Sequence, residues 1–242
     1  MAQDDSGLNG PVGLLDPADF TGQWTLIQPA FLAAVQRHRI PATRAGELAR
    51  VYLPLAAWIA EQKQDGPLIV GINGAQGSGK STLSDFLRLL LEQYHGQRVA
   101  VLSIDDLYLT RAERKALARE VHPLLITRGV PGTHDVELGL TTLQRLRTAT
   151  EVDLTPLPAF DKAADDRRPE AEWPVFRGRP DIILLEGWCM GATPQPESAL
   201  REPVNALERD EDADGRWRDF VNRQLETDYR RLFAELDRLI FL

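Results

Sequence analysis

One glycine-rich segment of the chain has residue types and a spacing suited to binding phosphate groups. It matches the pattern G-x-x-x-x-G-K-S and comprises Gly74, Ala75, Gln76, Gly77, Ser78, Gly79, Lys80 and Ser81, with Thr82 directly after. Glycines let the backbone turn tightly and point its N–H groups inward, and the N-terminus of a following helix adds partial positive charge. Lys80 would then contact the β- and γ-phosphates of a nucleotide, and the Ser81 hydroxyl would ligate Mg²⁺.

The residues around this segment favour phosphate binding over the alternative, a glycine-rich turn that binds nothing. The apolar run Leu68–Ile72 precedes the segment and predicts a strand. Apolar residues at helical spacing follow it until Gly96, which is expected to end the helix. A phosphate-binding loop requires this order of strand, loop and helix.

Acidic residues follow two further apolar runs, where a parallel sheet places its ligand-binding residues. Asp105 and Asp106 end the run that begins at Arg98, and Glu186 follows the run Asp181–Leu185. Ligands of doubly wound sheets bind beyond the carboxyl ends of the strands, so we expect these acids beside the glycine-rich loop. A carboxylate there can accept the proton of an attacking hydroxyl or hold the waters around Mg²⁺. Each acid could instead cap a turn or lie in a solvated loop, and for Asp106 both interpretations stay open.

Two clusters in the polar segment Leu107–Pro180 also carry charged residues. Arg128-Gly-Val-Pro-Gly-Thr-His134-Asp135 combines a turn, a cation, a histidine and an apparent helix N-cap, and the segment from Phe160 to Arg168 mixes cations with anions. A charge-mixed loop is as often a solvated surface, and a lone histidine more often packs than catalyses. With four histidines and one cysteine in the chain, we expect no zinc site.

The elements that must position these residues alternate between strands and helices. Three β-branched or leucine-rich runs predict buried strands: Leu68–Ile72, Arg98–Ile104 and Asp181–Leu185. The last run, Leu239–Leu242, predicts a fourth strand at the edge of the sheet. The helical stretches between them predict an α/β fold with a mainly parallel sheet. One amphipathic helix is expected before the last strand, carrying Trp217, Phe220, Val221, Leu225, Leu232 and Leu236.

The chain divides into three predicted regions. Residues 1–22 are rich in Gly, Asp and Pro and predict a loosely held, flexible leader. Residues 23–66 form a helical N-terminal segment, in which Pro54 is expected to kink or split the helix. Residues 67–242 form the phosphate-binding domain, where 107–180 are expected to be loops and short elements with one helix beginning near Asp135.

Composition and charge are those of an ordinary globular protein. The 242 residues are 43% hydrophobic and 26% charged, which suffices for one sizeable core. A net charge of −8 argues against a nucleic acid or an anionic membrane as the main partner, because both require a basic face. The single cysteine, Cys189, cannot form an internal disulfide, and the sequence contains neither a signal peptide nor a membrane span. We therefore expect a cytoplasmic protein of undetermined oligomeric state.

Taken in order, the motifs of this chain resemble those of the D-glycerate 3-kinase family. That family belongs to the P-loop kinase group, which also holds phosphoribulokinase, uridine kinase and pantothenate kinase. The resemblance extends over residues 45–242 and rests on the segments Gly74–Thr82, Ser103–Thr110, Arg128–Asp135, Pro158–Lys162 and Leu185–Trp188. It implies a P-loop kinase fold of three layers around the parallel sheet.

The resemblance implies transfer of the γ-phosphoryl group of ATP to D-glycerate, giving 3-phosphoglycerate, with Mg²⁺ as cofactor. Asp105 would be the base, Lys80 and Glu186 would complete the catalytic set, and Ser81, Glu186 and Asp105 would surround the metal. The acceptor site would contain Asp106, Tyr108, Arg128, His134, Asp135, Lys162 and Arg167. Two alternatives stay open: a related kinase for pantothenate, a nucleoside or a sugar phosphate, or a nucleotide-binding protein with little kinase activity.

The chain departs from the family pattern at two places. Family members often have tyrosine where this chain has Phe160, which removes a possible hydroxyl donor at the acceptor site. They also continue beyond the position of Leu242 with a helix, a cationic lid and a final strand. We expect these three parts to be missing from the domain described by this sequence.

Overall fold

Helices and short strands alternate along the chain in the computed structural model, which describes residues 17–62 and 65–242. The helices are α1 (Pro17–Arg37), α2 (Ala45–Glu61), α3 (Lys80–Gln93), α4 (Arg111–Glu120), α5 (Val136–Thr148), α6 (Ala206–Glu211), α7 (Arg216–Glu226) and α8 (Asp228–Phe233). The strands are β1 (Leu68–Asn73), β2 (Val99–Ser103), β3 (Leu154–Pro156), β4 (Phe160–Asp161), β5 (Asp166–Arg167), β6 (Val175–Arg177), β7 (Ile182–Gly187) and β8 (Arg238–Phe241).

The described chain divides into two compact units, and the first is helical. It contains residues 17–62 and 82–98, and therefore α1, α2 and most of α3. Aromatic packing holds it together, since the Phe86 ring of α3 lies 4.6 Å from that of Phe31 and 5.4 Å from that of Tyr52. On the same helix, Asp85 accepts hydrogen bonds from Arg37 at 2.8 Å and Arg88 at 2.7 Å.

The second unit, residues 65–81 and 99–242, contains a parallel sheet in the order β2-β7-β1-β8. The predicted α/β class and its four parallel strands are thereby confirmed, with β8 at one edge of the sheet. Two short antiparallel pairs, β3 with β6 and β4 with β5, lie outside this sheet. The register places Asn73 opposite Gly187 and Ser103 opposite Glu186. The strands β1, β2 and β7 therefore end together, and the residues that follow them lie at the carboxyl end of the sheet.

The strands β1 and β7 are apolar and buried along almost their whole length. Ile69 and Val70 in β1, and Ile183 and Leu184 in β7, have no exposed surface. Burying each such side chain contributes about 1.5–3 kcal/mol to folding. This unbroken apolar run is typical of a strand covered on both faces. It holds in place the carboxyl end of the sheet, where Asp105 and Glu186 lie.

The N-terminal helices differ from the sequence prediction in two respects. Residues 1–16 of the predicted leader lie outside the described residues. The rest of the leader belongs to α1, which begins at Pro17. The helix α2 is not split at Pro54, which lies inside it. Leu53, Ala56 and Ile59 of α2 are buried, and this apolar face outweighs the hydrogen bond that proline cannot make.

Two predictions for the second unit were wrong. The segment Leu107–Pro180 contains α4 in addition to the predicted helix after Asp135. This helix has little apolar surface, and a capping box between Thr110 and Glu113 fixes its start. The single amphipathic helix predicted before β8 is divided into α7 and α8 by Thr227, whose backbone is not helical (φ −106°, ψ −90°).

No helix among the described residues combines the length and the apolar character that crossing a lipid bilayer requires.

Candidate active site

The glycine-rich loop connects β1 to α3 and turns tightly. Gly77 and Gly79 adopt left-handed backbone conformations, with φ of 77° and 96°, which other residues adopt only with strain. The Ser78 N–H donates to the carbonyl oxygen of Ala75 at 3.1 Å. A Cβ atom at Gly74 would lie 2.6 Å from Ser78 Oγ and 3.0 Å from Leu242 Cβ, so a larger residue there would crowd the loop. The loop thus has the compact backbone that a phosphate group needs in order to approach several N–H groups.

Lys80 and Ser81, at the start of α3, lie at the same end of the sheet. Lys80 Nζ donates to the carbonyl oxygen of Ala75 at 2.9 Å, so the side chain folds back along the loop. Ser81 Oγ donates to Glu186 Oε1 at 3.0 Å, and Glu186 is buried near the end of β7. A hydroxyl and a carboxylate are oxygen ligands of the kind that Mg²⁺ accepts, so this pair fits a magnesium site. Thr82 lies in the first unit, where its Oγ1 is 3.5 Å from His38 Nδ1.

Asp105 follows β2 in a short 3₁₀ turn and is partly exposed. Its Oδ2 accepts a hydrogen bond from Lys162 Nζ at 2.7 Å, and its Oδ1 accepts one from the Tyr108 hydroxyl at 3.2 Å. The side chain retains 34% of its exposure, so it remains accessible from solution. A carboxylate held in this way is positioned to accept a proton from an incoming hydroxyl.

Asp106 has a different environment from its neighbour. Its Oδ1 accepts the backbone N–H of Phe160 at 3.0 Å and so ties β4 to the turn after β2. Burial raises the pKa of Asp106 above its usual value, although the hydrogen bond from Phe160 opposes this. Of the two open interpretations, the geometry favours a structural anchor for Asp106 rather than a group that contacts substrate.

A cavity of about 570 Å³ opens between the glycine-rich loop and these residues, and we call it the Asp105 cavity. Its lining is strongly basic and consists of Gln76, Asp105, Tyr108, Arg111, Arg114, Lys115, Ile126, Thr127, Arg128, Lys162 and Asp165. The loop supplies Gln76, and the carboxylate of Asp105 faces the same space. The cavity therefore places a basic pocket directly beside the predicted phosphate site.

Two of the three predicted acceptor cations line this cavity, and the third does not. Arg128 forms an ion pair with Asp165 and lies 5.6 Å from the centre of the Phe160 ring, and Lys162 pairs with Asp105. Arg167 instead donates to the carbonyl oxygen of Tyr108 at 3.0 Å. It also pairs at 3.1 Å with Asp135, which caps α5. Arg167 and Asp135 thus hold the chain around Tyr108 rather than facing the cavity.

His134 lies in a buried aromatic stack behind Tyr108. The two rings are 4.4 Å apart at an angle of 21°. The Tyr229 hydroxyl accepts the N–H of Gly132 at 3.0 Å and forms a hydrogen bond with His134 Nδ1. Burial lowers the pKa of His134 to about 3, so the ring is neutral near pH 7. This packing role agrees with the more common behaviour of a lone histidine, and it fixes the ring that carries the Tyr108 hydroxyl.

The buried histidine predicts a specific pH dependence of stability. The unfolded chain protonates His134 with a pKa near 6.5, whereas the folded chain resists protonation down to about 3. Because the unfolded state binds more protons between these values, the free energy of unfolding should fall as the pH drops below about 6.5. Between pH 7.5 and 5.5 we expect a loss of about 1.4 kcal/mol from this group.

Urea unfolding of the wild type and of His134→Phe at both pH values measures this contribution. The variant should lose less stability than the wild type on acidification, by about 1.4 kcal/mol, whatever its absolute stability. Equal losses in the two proteins would show that His134 does not resist protonation in the folded state.

Sequence reasoning missed several residues of the cavity, mainly those on α4. Arg111, Arg114 and Lys115 lie in the polar segment for which the sequence predicts loops and short elements. A usable signal was present, since Thr110 and Glu113 match the capping-box pattern that precedes many helices. Tyr229 carried no local signal, and Asp165 was predicted only as one acid of the charge-mixed segment from Phe160 to Arg168, because the roles of both depend on contacts with distant segments.

Comparison with known proteins places these features among kinases, although no family model matches the chain. It is 31% identical to a chloroplastic D-glycerate 3-kinase of Arabidopsis thaliana, an alignment that covers 86% of this chain and 47% of the relative. An uncharacterized kinase of Schizosaccharomyces pombe is 33% identical, with 73% of this chain and 64% of the relative covered.

The fold agrees with these sequence relatives. The solved structure of D-glycerate 3-kinase from Cryptococcus neoformans var. grubii superposes with a TM-score of 0.59 at 27% identity, covering 78% of this chain and 69% of that one. The chain spans about half the length of the plant relative.

Proposed function

Because this chain belongs to the D-glycerate 3-kinase family of P-loop kinases, we propose that it transfers the γ-phosphoryl group of ATP to D-glycerate and forms 3-phosphoglycerate. One observation carries the proposal: the glycine-rich loop lies beside a basic cavity that also contains the carboxylate of Asp105. A kinase needs these two sites next to each other, because the donor phosphate and the acceptor hydroxyl must meet in line.

The glycine-rich loop would bind the phosphates of ATP. Its backbone N–H groups and the N-terminus of α3 would attract the negative charge of the phosphates. Lys80 would move from the carbonyl oxygen of Ala75 to the β- and γ-phosphates. Ser81 and Glu186 would hold Mg²⁺. When bound, the ion neutralises charge on the phosphate oxygens.

Asp105 would act as the base during transfer. The acceptor hydroxyl oxygen forms a bond to the γ-phosphorus while the bond from that phosphorus to the β,γ-bridging oxygen breaks, and ADP leaves. The hydroxyl proton passes to the carboxylate of Asp105. Tyr108 and Lys162 hold this carboxylate at distances of 3.2 Å and 2.7 Å, which limits its freedom to turn away. Such positioning is the main contribution that a protein makes to phosphoryl transfer.

The charge of the cavity favours a small anionic acceptor. Five basic side chains line it against two acidic ones, although the chain as a whole has a net charge of −8. A carboxylate entering the cavity would therefore meet an attractive local field. Glycerate is a short molecule that carries such a carboxylate close to its hydroxyl groups.

Assay of a panel of acceptors tests the proposal. With MgATP, the protein should phosphorylate D-glycerate in preference to pantothenate, uridine and ribulose 5-phosphate, and the product should be 3-phosphoglycerate. Glycerol, which lacks the carboxylate, should have a kcat/KM lower by about 10- to 100-fold, because a charge-assisted contact is worth about 1.5–3 kcal/mol. Equal efficiency with glycerol, or a clear preference for uridine, would contradict the assignment.

A further inference from the structure

Two arginines of the Asp105 cavity are already bound to the same internal acid. Arg114 is almost fully buried and forms an ion pair with Asp165 at 3.0 Å. It also donates to the carbonyl oxygen of Ile126 at 2.7 Å and to that of Asp165 at 2.7 Å. Arg128 pairs with the same carboxylate of Asp165. Both guanidinium groups therefore join segments of the cavity wall, and an entering anion would have to compete with Asp165 for them.

Lys162 is engaged in the same way with a different acid. Its ammonium group lies 2.7 Å from Asp105 Oδ2. If Lys162 moved to the acceptor, the proposed base would lose one of the two groups that hold it. Lys162 is thus better suited to positioning Asp105 than to binding the carboxylate of a substrate.

Two other basic side chains line the cavity without such a partner. Arg111 and Lys115 are exposed, and their side chains make no hydrogen bond or ion pair within the described chain. They are four residues apart on α4, so they project from the same face of the helix, one turn apart. Like charges at this spacing repel each other and weaken the helix. An anion bound between them would remove that repulsion and would break no internal ion pair.

The backbone that carries these two side chains is firmly held. The capping box of Thr110 and Glu113 fixes the first turn of α4, and the Arg111 N–H donates to Asp166 Oδ1 at 3.0 Å. In the same turns, the buried Arg114 attaches the helix to the segments around Ile126 and Asp165. The long side chains of Arg111 and Lys115 therefore start from fixed points at the cavity wall.

We propose that Arg111 and Lys115 bind the carboxylate of the acceptor, whereas Arg128 and Lys162 hold the cavity wall and the base. Arg111 can donate two parallel hydrogen bonds to a carboxylate, and Lys115 adds a mobile charge from the next turn. The proposal rests on the proposed function for the identity of the acceptor. Its central claim is that α4 recognises the negative charge of the acceptor.

Steady-state kinetics of charge-neutralised variants test this assignment. Arg111→Gln and Lys115→Gln should each raise the KM for D-glycerate about tenfold or more, with little change in kcat or in the KM for MgATP. The double variant should also lose most of the preference for glycerate over glycerol. Lys115→Arg keeps the charge and should retain most of the affinity, whereas Arg111→Lys keeps the charge but loses the paired hydrogen bonds and should retain only part of it.

Arg119→Gln provides a matched control, because Arg119 is an exposed arginine of the same helix outside the lining of the cavity. It should behave like the wild type. The melting temperatures of all variants should stay close to that of the wild type, because the changed side chains are exposed and relief of the repulsion between Arg111 and Lys115 changes stability only slightly. An unchanged KM for glycerate in the double variant would overturn the inference. A raised KM for MgATP alone would overturn it too, since the pair would then bind the phosphates of the donor.

The same variants separate this inference from the proposed function. If the wild type phosphorylates ribulose 5-phosphate instead of glycerate, the proposed function fails. The inference still stands if Arg111→Gln and Lys115→Gln raise the KM for that anionic acceptor. If the preferred acceptor is uncharged uridine, the inference fails, because no negative charge is left for α4 to recognise.

Discussion

Replacing Asp105 with asparagine should lower kcat for D-glycerate by about 10²–10⁴, while ATP binds almost as tightly as before. Asparagine keeps the size of the side chain and can still accept a hydrogen bond from Tyr108 or Lys162, but it cannot take up the proton of the acceptor. The loss should therefore appear in the chemical step. Single-turnover kinetics with saturating glycerate, together with calorimetry of ATP binding, measure the two effects separately.

Asp106→Asn is the matched control for this variant. Asp106 accepts the N–H of Phe160, and the amide oxygen of asparagine can accept the same hydrogen bond. We therefore expect a kcat close to that of the wild type. A near-normal kcat in Asp105→Asn, combined with a large loss in Asp106→Asn, would show that the neighbouring carboxylate is the base.

Removing the ammonium group of Lys80 should almost abolish turnover. The side chain is proposed to contact the γ-phosphoryl group during transfer, where a positioned cation stabilises the transition state. The loss of one preorganised donor at such a position costs about 10²–10³ in kcat. Lys80→Ala should also bind MgATP more weakly. The fold should be retained, since Lys80 lies at the start of α3 and its ammonium group is not part of the buried core.

Calorimetric titration with MgATP and kinase assays under saturating glycerate test the Lys80 prediction. Arg88→Ala removes a positive charge from the same helix, at a residue paired with Asp85, and should leave both ATP affinity and turnover intact. Equal ATP affinity of Lys80→Ala and the wild type would refute the role of this loop in binding the nucleotide.

The parts of this protein that could be predicted are those with short-range sequence signals. The turn of the glycine-rich loop was predictable because Gly77 and Gly79 meet a local backbone requirement, and β1 because a strand covered on both faces needs an unbroken apolar run. The N-cap of α5 at Asp135 was predictable for the same reason. In each case neighbouring residues determine the conformation.

The remaining features depend on contacts between distant segments. The order of the sheet, with β7 between β2 and β1, reflects pairings that no local pattern encodes. The predicted convergence of three cations was incorrect at Arg167, because Asp135 and the carbonyl oxygen of Tyr108 bind that side chain. Composition indicates how many charges a loop carries, but only the folded chain decides which of them pair with each other.

The position of β7 beside β1 also determines when the sheet can form during synthesis. Ser81, just after β1, and its partner Glu186 in β7 are 105 residues apart in the chain. At about 5–20 residues per second, a ribosome needs about 5–20 s to make that stretch. During this interval the apolar strand β1 has been made, but β7, the strand that will pair with it, has not. Newly made chains should therefore depend on chaperones that shield exposed strands until translation has passed β7.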